Sequence, residues 1–441
     1  MPRYGGATAV PTRPARSRPF MVSVVPKFVI RYSYYAFIFS LPFEMAEVTI
    51  AGLPLARLLG LLFLAVTILQ PRQLYKRPPK AFWYFAVYIA VTAASGINAI
   101  MDAPQSGMFV SPIITTLFTR IQLLVFFWLS FNLLASQEVM KGTALTLAFS
   151  CVILAVLQMF GLTASEVGQG RETAFDANPN TLSAVMSVGL LALVGLAYGR
   201  KDVDKKVRLL AWASSAILLL TIVRAGSRGT MIAVAVALVA LTVKPHKIRE
   251  KLKAGVVALL VIASLIWASF SIDTIRERWE KTYYEGDVAG RDVIYPMAWG
   301  MFLEKPLLGW GPIIHFHELG NRLGKEKRDP HNLYLWLLIE TGIIGAIPFL
   351  AGVWLCFRSA WRARFISGTT LPLAWMIFFL IVATKGTWLV QKILWVILAY
   401  ALTSGKQIMT HPVRKRFRAL PGSMKMRSPH PRVPRMPAAR T

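Results

Sequence analysis

Residues 332–356 read NLYLWLLIETGIIGAIPFLAGVWLC, with Glu340 the one charged side chain in the run. A helix of roughly 20 apolar residues spans the hydrocarbon of a bilayer, so this stretch predicts a membrane-crossing helix. Working outward, eleven more blocks of the same character appear, at 24–41, 52–69, 81–100, 113–134, 143–161, 180–198, 207–223, 229–243, 252–270, 370–384 and 387–403. The block at 229–243 is short and predicts an upright helix or half of a broken unit with its neighbour. The expected fold is therefore an all-α polytopic membrane protein of about twelve helices.

Composition agrees. Hydrophobic residues make up 55% of the 441 and charged residues 16%, too few to coat a soluble protein of this size. The net charge of +29 could suggest a nucleic-acid partner. However, the Lys and Arg residues sit in links and tails between apolar blocks, where membrane topology puts them, so no nucleic-acid partner is expected. Cys151 and Cys356 both fall in apolar blocks and offer neither a metal spacing nor a disulfide framework.

Basic links fix the expected orientation. Segments 71–80, 199–208, 244–253 and 357–369 are rich in Lys and Arg, while 42–51 and 101–112 have none. Twelve crossings with both termini cytoplasmic satisfy that alternation. Segments 162–179, 224–228 and 271–331 then face outward. The resulting organisation is a basic disordered N-terminus at 1–23, helices one to nine over 24–270, an outward loop at 271–331, helices ten to twelve over 332–403, and a disordered basic cytoplasmic tail at 404–441. The tail has too few large apolar side chains to offset its ordering entropy.

The outward loop 271–331 is the one long link, and links of that length are usually functional or disordered. Trp279, Tyr283, Tyr284, Tyr295, Trp299, Phe302 and Trp310 give it the bulk of a folded lid. A helical face runs through Ile294, Met297, Ala298, Met301 and Phe302.

Three outward features carry candidate chemistry. Arg224 and Arg228 bracket a run of small residues in Arg224-Ala-Gly-Ser-Arg228-Gly229. Arginine beside hydrocarbon costs a few kcal/mol unless it snorkels or finds a partner, and guanidinium forks match phosphate oxygens. Arg291, after Gly290, opens the helical stretch of the loop and would close on the same anion, with Asp287 and Asp292 as competing partners. Asp329-Pro-His331-Asn332 opens the tenth span. A neutral imidazole there can accept a proton from an attacking hydroxyl; Asp329 would orient the ring or cap the helix, and Asn332 would bind sugar or backbone.

Other motifs carry less. His315 and His317 with His331 lack a fourth metal ligand, so no metal is expected. Asp202-Val-Asp204 lies in a short basic link, and Gly168-Gln-Gly170-Arg171 is too short for a dinucleotide fingerprint. Glu340 is costly inside a span and is expected to face the protein interior. Lys385 and Lys392 read as interfacial anchors.

Taken together, Arg291 to Trp299, Lys305-Pro-Leu-Leu-Gly-Trp-Gly311, Asp329-Pro-His-Asn-Leu-Tyr-Leu335 and Glu340-Thr-Gly-Ile-Ile-Gly345 resemble the signature region of the O-antigen ligase/polymerase family. Ser227-Arg228-Gly229 and Asn178-Pro-Asn180 are similar to its shorter motifs. The resemblance implies a bacterial inner-membrane glycosyltransferase with a periplasmic loop, taking a glycan from an undecaprenyl diphosphate carrier to an acceptor sugar or glycolipid hydroxyl. It implies no nucleotide sugar, cofactor or catalytic metal. Carried over by motif, Arg228 and Arg291 hold the donor diphosphate and His331 acts near the acceptor hydroxyl; Arg224 joins them on spacing alone. A transporter or flippase of lipid-linked sugars is the alternative, and predicts internal repeats and ionisable groups along a central path.

Overall fold

A computed structural model of the chain describes residues 27–46, 49–50, 53–69, 74–102, 106–167, 170–199, 204–243, 248–286 and 288–406. The basic N-terminus, most of the tail, Asp287, and the Asp202, Gly168 and Gln169 positions lie outside the described residues. All twelve apolar blocks coincide with helices. These are α1 (Lys27–Ser40), α2 (Leu55–Ile68), α3 (Lys80–Asp102), α4 (Val110–Leu133), α5 (Gln137–Met159), α6 (Pro179–Gly199), α7 (Lys205–Arg224), α8 (Arg228–Thr242) and α9 (Ile248–Ser271). Three more helices, α10 (Asp273–Tyr284), α11 (Arg291–Glu304) and α12 (Ile314–Arg322), fill the long loop, before α13 (Leu333–Ile366), α14 (Leu371–Val382) and α15 (Lys392–Ser404). A small antiparallel hairpin, β1 (Ala164–Val167) with β2 (Arg171–Ala174), lies between α5 and α6.

The chain is a multi-pass, mostly helical membrane protein. Among the described helices, six are long and apolar enough to cross a membrane, and seven if α9 and α10, bent by 97° at their junction, form one broken span. Four further apolar helices, α2, α8, α14 and α15, are shorter. At 1.5 Å per residue, α14 is only about 18 Å long against the ~30 Å hydrocarbon core. Helix length alone thus supports fewer crossings than the twelve apolar blocks predict.

Packing is helix on helix. α13 lies along α3, α6 against α7, α8 against α14, and α4 against α15. Phe85 meets Phe127 and Trp395 edge-on and Phe349 at a tilt, with centroids 5.2–5.5 Å apart, locking α3, α4, α13 and α15 together. In lipid such contacts, rather than exclusion of water, hold helices together.

Glu340 faces the interior. Its carboxylate takes a charge-assisted bond from Arg120 Nη2 at 2.6 Å and a bond from Tyr88 OH at 3.1 Å, and Arg120 Nη1 reaches Thr92 Oγ1 at 3.0 Å. Both charged side chains are 1% exposed. This is a buried internal ion pair tying α3, α4 and α13.

The helix α13 is broken at Gly342, whose φ of 59° and ψ of −164° only glycine adopts readily. The groups freed by the break are paired by the segment after α11. Trp310 N–H donates to Ile339 O (2.7 Å) and Gly311 N–H to Glu340 O (2.9 Å), while Ile343 N–H donates to Pro306 O (2.9 Å). A Cβ on Gly342 would sit 2.1 Å from Leu307 O, and one on Gly309 would sit 2.6 Å from Glu340 C. The Lys305–Gly311 and Glu340–Gly345 motifs are thus two halves of one plug. Irregular backbone at membrane depth survives only when protein buries and pairs it.

A second small core, with Ile294, Ala298, Met301, Phe302, Leu319 and Ile339 buried, seats α11 and α12 on the first half of α13. Arg322 bridges Glu304 (2.6 Å) and Glu318 (2.7 Å) and covers the Trp310 ring. The expected helical face of 291–303 is the one that packs.

Candidate functional site

A cavity of about 440 Å³ opens where the outward-assigned links converge, and its walls come from 171–181, 226–232, 278–282, 288–291, 329–336 and 382–391. Arg228, Arg291, His331 and Asp329 all line it, joined by Arg171, Arg278 and Lys385. Among the described lining residues Asp329 is the single carboxylate, so positive charge dominates.

Three helices begin at this cavity: α6 through Asn180 and Thr181, α8 through Arg228, Gly229 and Thr230, and α11 through Arg291. Unpaired N–H groups and the helix dipole make such ends favourable to anions. Between α7 and α8 the chain reverses within Ala225-Gly226-Ser227, with Gly226 at φ +64°, a conformation that favours glycine, and a Cβ there would press on the Ile275 side chain at 2.7 Å. That tight turn carries Arg228 to the cavity wall.

Backbone carbonyls help orient the guanidinium groups. Arg228 donates to Arg278 O, and Arg291 donates to Val288 O at 3.3 Å. Arg171, on β2, donates to Ala225 O and to Asn180 Oδ1, both at 3.0 Å. Burial, then the nearby charges of Arg278, Arg228 and Arg291, pull Arg171 down to about 10. Lys385 is lowered by burial and by Arg291 and Arg228. Arg171 and Lys385 thus both feel the positive charge of their neighbours, which a nearby anion would offset.

His331 holds a left-handed backbone, φ +51°. Asp329 Oδ1 accepts its N–H at 2.6 Å, Asp329 Oδ2 accepts Thr387 Oγ1–H at 2.7 Å, and the imidazole Nδ1 stays 3.7 Å from Asp329. Asp329 therefore fixes the turn rather than bonding the ring. Asn332 caps α13, accepting from Tyr334 N–H at 2.9 Å and Leu335 N–H at 3.3 Å. Burial lowers the His331 pKa, Asp329 opposes that shift, and Arg328 and Arg291 add to it. The net effect favours the neutral ring.

Arg224 does not line the cavity. It pairs with Glu172 instead, at 3.5 Å. Among the described residues no cluster of three or more His, Cys, Asp or Glu could hold a metal; His315 is buried, its Nδ1 2.9 Å from Gly311 O.

Residues 213–350 match one family model, described as O-Antigen ligase. This stretch, the O-antigen ligase-like region of the chain, is similar to that family. That region covers less than half of the 441 residues and runs from α7 into α13, so it contains Arg228, Arg291 and His331. Arg171, Asn180 and Lys385 reach the same cavity from outside the O-antigen ligase region. No curated protein matches the chain.

Proposed function

We propose that the protein transfers or polymerises glycans from an undecaprenyl diphosphate donor onto an acceptor sugar hydroxyl at the outer face of a bacterial inner membrane. The observation that carries this is the meeting of Arg228, Arg291 and His331 in one cation-rich cavity. The match to the O-antigen ligase family supports glycosyltransferase-type activity on lipid-linked glycans.

In the proposed step, the acceptor oxygen attacks the anomeric carbon as the carbon–oxygen bond to the lipid diphosphate breaks, inverting that centre. His331 receives the hydroxyl proton. Arg228 and Arg291 stabilise the charge gathering on the departing diphosphate, and preorganised donors in a partly dry site are effective at that task. Holding two bulky glycans in register supplies further rate.

Twelve crossings with both termini cytoplasmic belong to the same reading. The cavity walls derive from links that the Lys and Arg pattern assigns to one side, which supports that topology and a site open to one face. The test is reconstitution in liposomes with purified lipid-linked oligosaccharide. Wild-type protein is expected to yield either a ladder of products or a single addition to a glycolipid acceptor. Inserted Arg228→Ala and His331→Ala variants are expected to fall by about 10²-fold or more, on the scale of losing a catalytic acid–base or charge-stabilising group. Full activity in both variants would sink the assignment.

A further inference from the structure

Outside the O-antigen ligase region, the link 383–391 between α14 and α15 enters the cavity and is tied down on both sides of Lys385. Leu333 N–H donates to Ala383 O (2.8 Å), Tyr295 OH to Thr384 O (2.8 Å), and Thr387 Oγ1–H to Asp329 Oδ2 (2.7 Å). Two of these anchors come from the 329–333 turn that carries His331. The backbone at Lys385 is thus set by the site itself.

The side chain is equally specified. A Cβ at Gly229 would meet Lys385 Cγ, Cδ and Cε at 3.0, 3.2 and 3.4 Å, so the lysine stem crosses the first turn of α8 in close contact with Gly229. Lys385 lines the cavity and stays accessible, close enough to Arg228 and Arg291 to feel both charges. Among the described residues no carboxylate lies within ion-pair distance of it. A snorkelling anchor would avoid two guanidinium groups. This ammonium is led toward them.

We propose that Lys385 is an anion-binding residue of this cavity, contacting phosphate oxygens of the donor together with Arg228 and Arg291. The inference rests on the diphosphate reading of the site and extends it to a part of the chain that the family resemblance does not reach. A compact ammonium with three rotatable donors complements the planar guanidinium forks on a tetrahedral phosphate.

The test is calorimetric titration of purified full-length protein in detergent with inorganic diphosphate, at low ionic strength. Lys385→Met keeps the stem and removes the charge, Lys385→Arg restores charge, and Lys325→Met removes an exposed cation that does not line the cavity. Lys385→Met is expected to weaken binding about tenfold, the order of one charge-assisted hydrogen bond, with Lys385→Arg within about threefold of wild type and Lys325→Met unchanged. Elution at the wild-type volume checks folding, and Lys385→Gln replaces Lys385→Met if that variant fails. Wild-type affinity in both neutral variants would overturn the role of Lys385 and leave the proposed function standing. A wild-type protein with no affinity for diphosphate would overturn the reading of the cavity, and this inference with it.

Discussion

His331 stands two residues from Asp329, yet the carboxylate spends its oxygens on the His331 backbone and on Thr387. The imidazole is left to its surroundings: burial and two nearby arginines hold its pKa below 6.5. A base whose pKa is lowered stays competent to more acid pH. kcat/KM, which reports the free enzyme, is therefore expected to hold from neutrality downward and to fall only with a midpoint below 6.5. A midpoint above that value in a pH–rate profile would refute the neutral-base assignment. Arg120 and Glu340 make a second residue-scale case. Removing one member of a buried pair costs about 3–5 kcal/mol, while replacing both with apolar groups is often neutral. Arg120→Met is expected to lower the thermal midpoint sharply, and Arg120→Met with Glu340→Leu to recover most of the loss. At this scale the sequence was partly legible. Arg228, Arg291 and His331 stand out because each is a polar group at a place lipid or a lid would disfavour. Arg278 has no such mark, since on α10 it alternates with Glu277 and Glu280 like any solvated face. Arg171 looked like a loop residue, because its value depends on a hairpin that brings it to Ala225, 54 residues away.

Among the elements, α13 departs most from its reading as a continuous span. Glu340 is the one charge in residues 332–356 and does not by itself announce the break at Gly342; the cause lies in Lys305–Gly311, which supplies the missing partners. The glycines of the two motifs are therefore not equivalent to other glycines nearby. Gly309→Ala and Gly342→Ala are each expected to cost several kcal/mol, because each combines a positive φ with a Cβ inside 3 Å of backbone. Gly300→Ala, on α11 with nothing within 4 Å of the added carbon, is expected to be neutral or to stabilise by up to about 1 kcal/mol. Thermal unfolding of the three purified variants separates them, and equal stability would refute the plug. The twelve apolar blocks were legible as helices because a span of lipid-compatible residues has few other solutions. Their lengths were legible unevenly: α8 matches its short block at 229–243, whereas α15 begins only at Lys392, inside the block 387–403.

For the whole molecule, the decisive matter is which links share a side. Cys151 and Cys356 are both buried, so an introduced cysteine reports with little background. Tyr283→Cys in the long loop is expected to react with an impermeant maleimide from outside the cell membrane. Arg362→Cys, exposed near the C-terminal end of α13, is expected to react only once the membrane is opened. Labelling of both from one side would discard the twelve-crossing arrangement. The convergence of outward links on one cavity could be anticipated from charge alternation, since the positive-inside rule sorts links before any contact is known. The sharing of that cavity by the last link, 383–391, could not. Lys385 reads as a headgroup anchor until the fold lays it across Gly229.

The plug at Gly342 also constrains biogenesis. A nascent α13 entering the bilayer alone would carry unmet carbonyls at Ile339 and Glu340 and an unmet amide at Ile343, each a penalty in hydrocarbon. Its partners, residues 306–311, emerge from the ribosome earlier and, on the proposed topology, must already be translocated when α13 arrives. Final seating of that helix is thus a late, post-translocation event, and a ribosome stalled before the loop has crossed would leave the helix waiting at the insertion machinery.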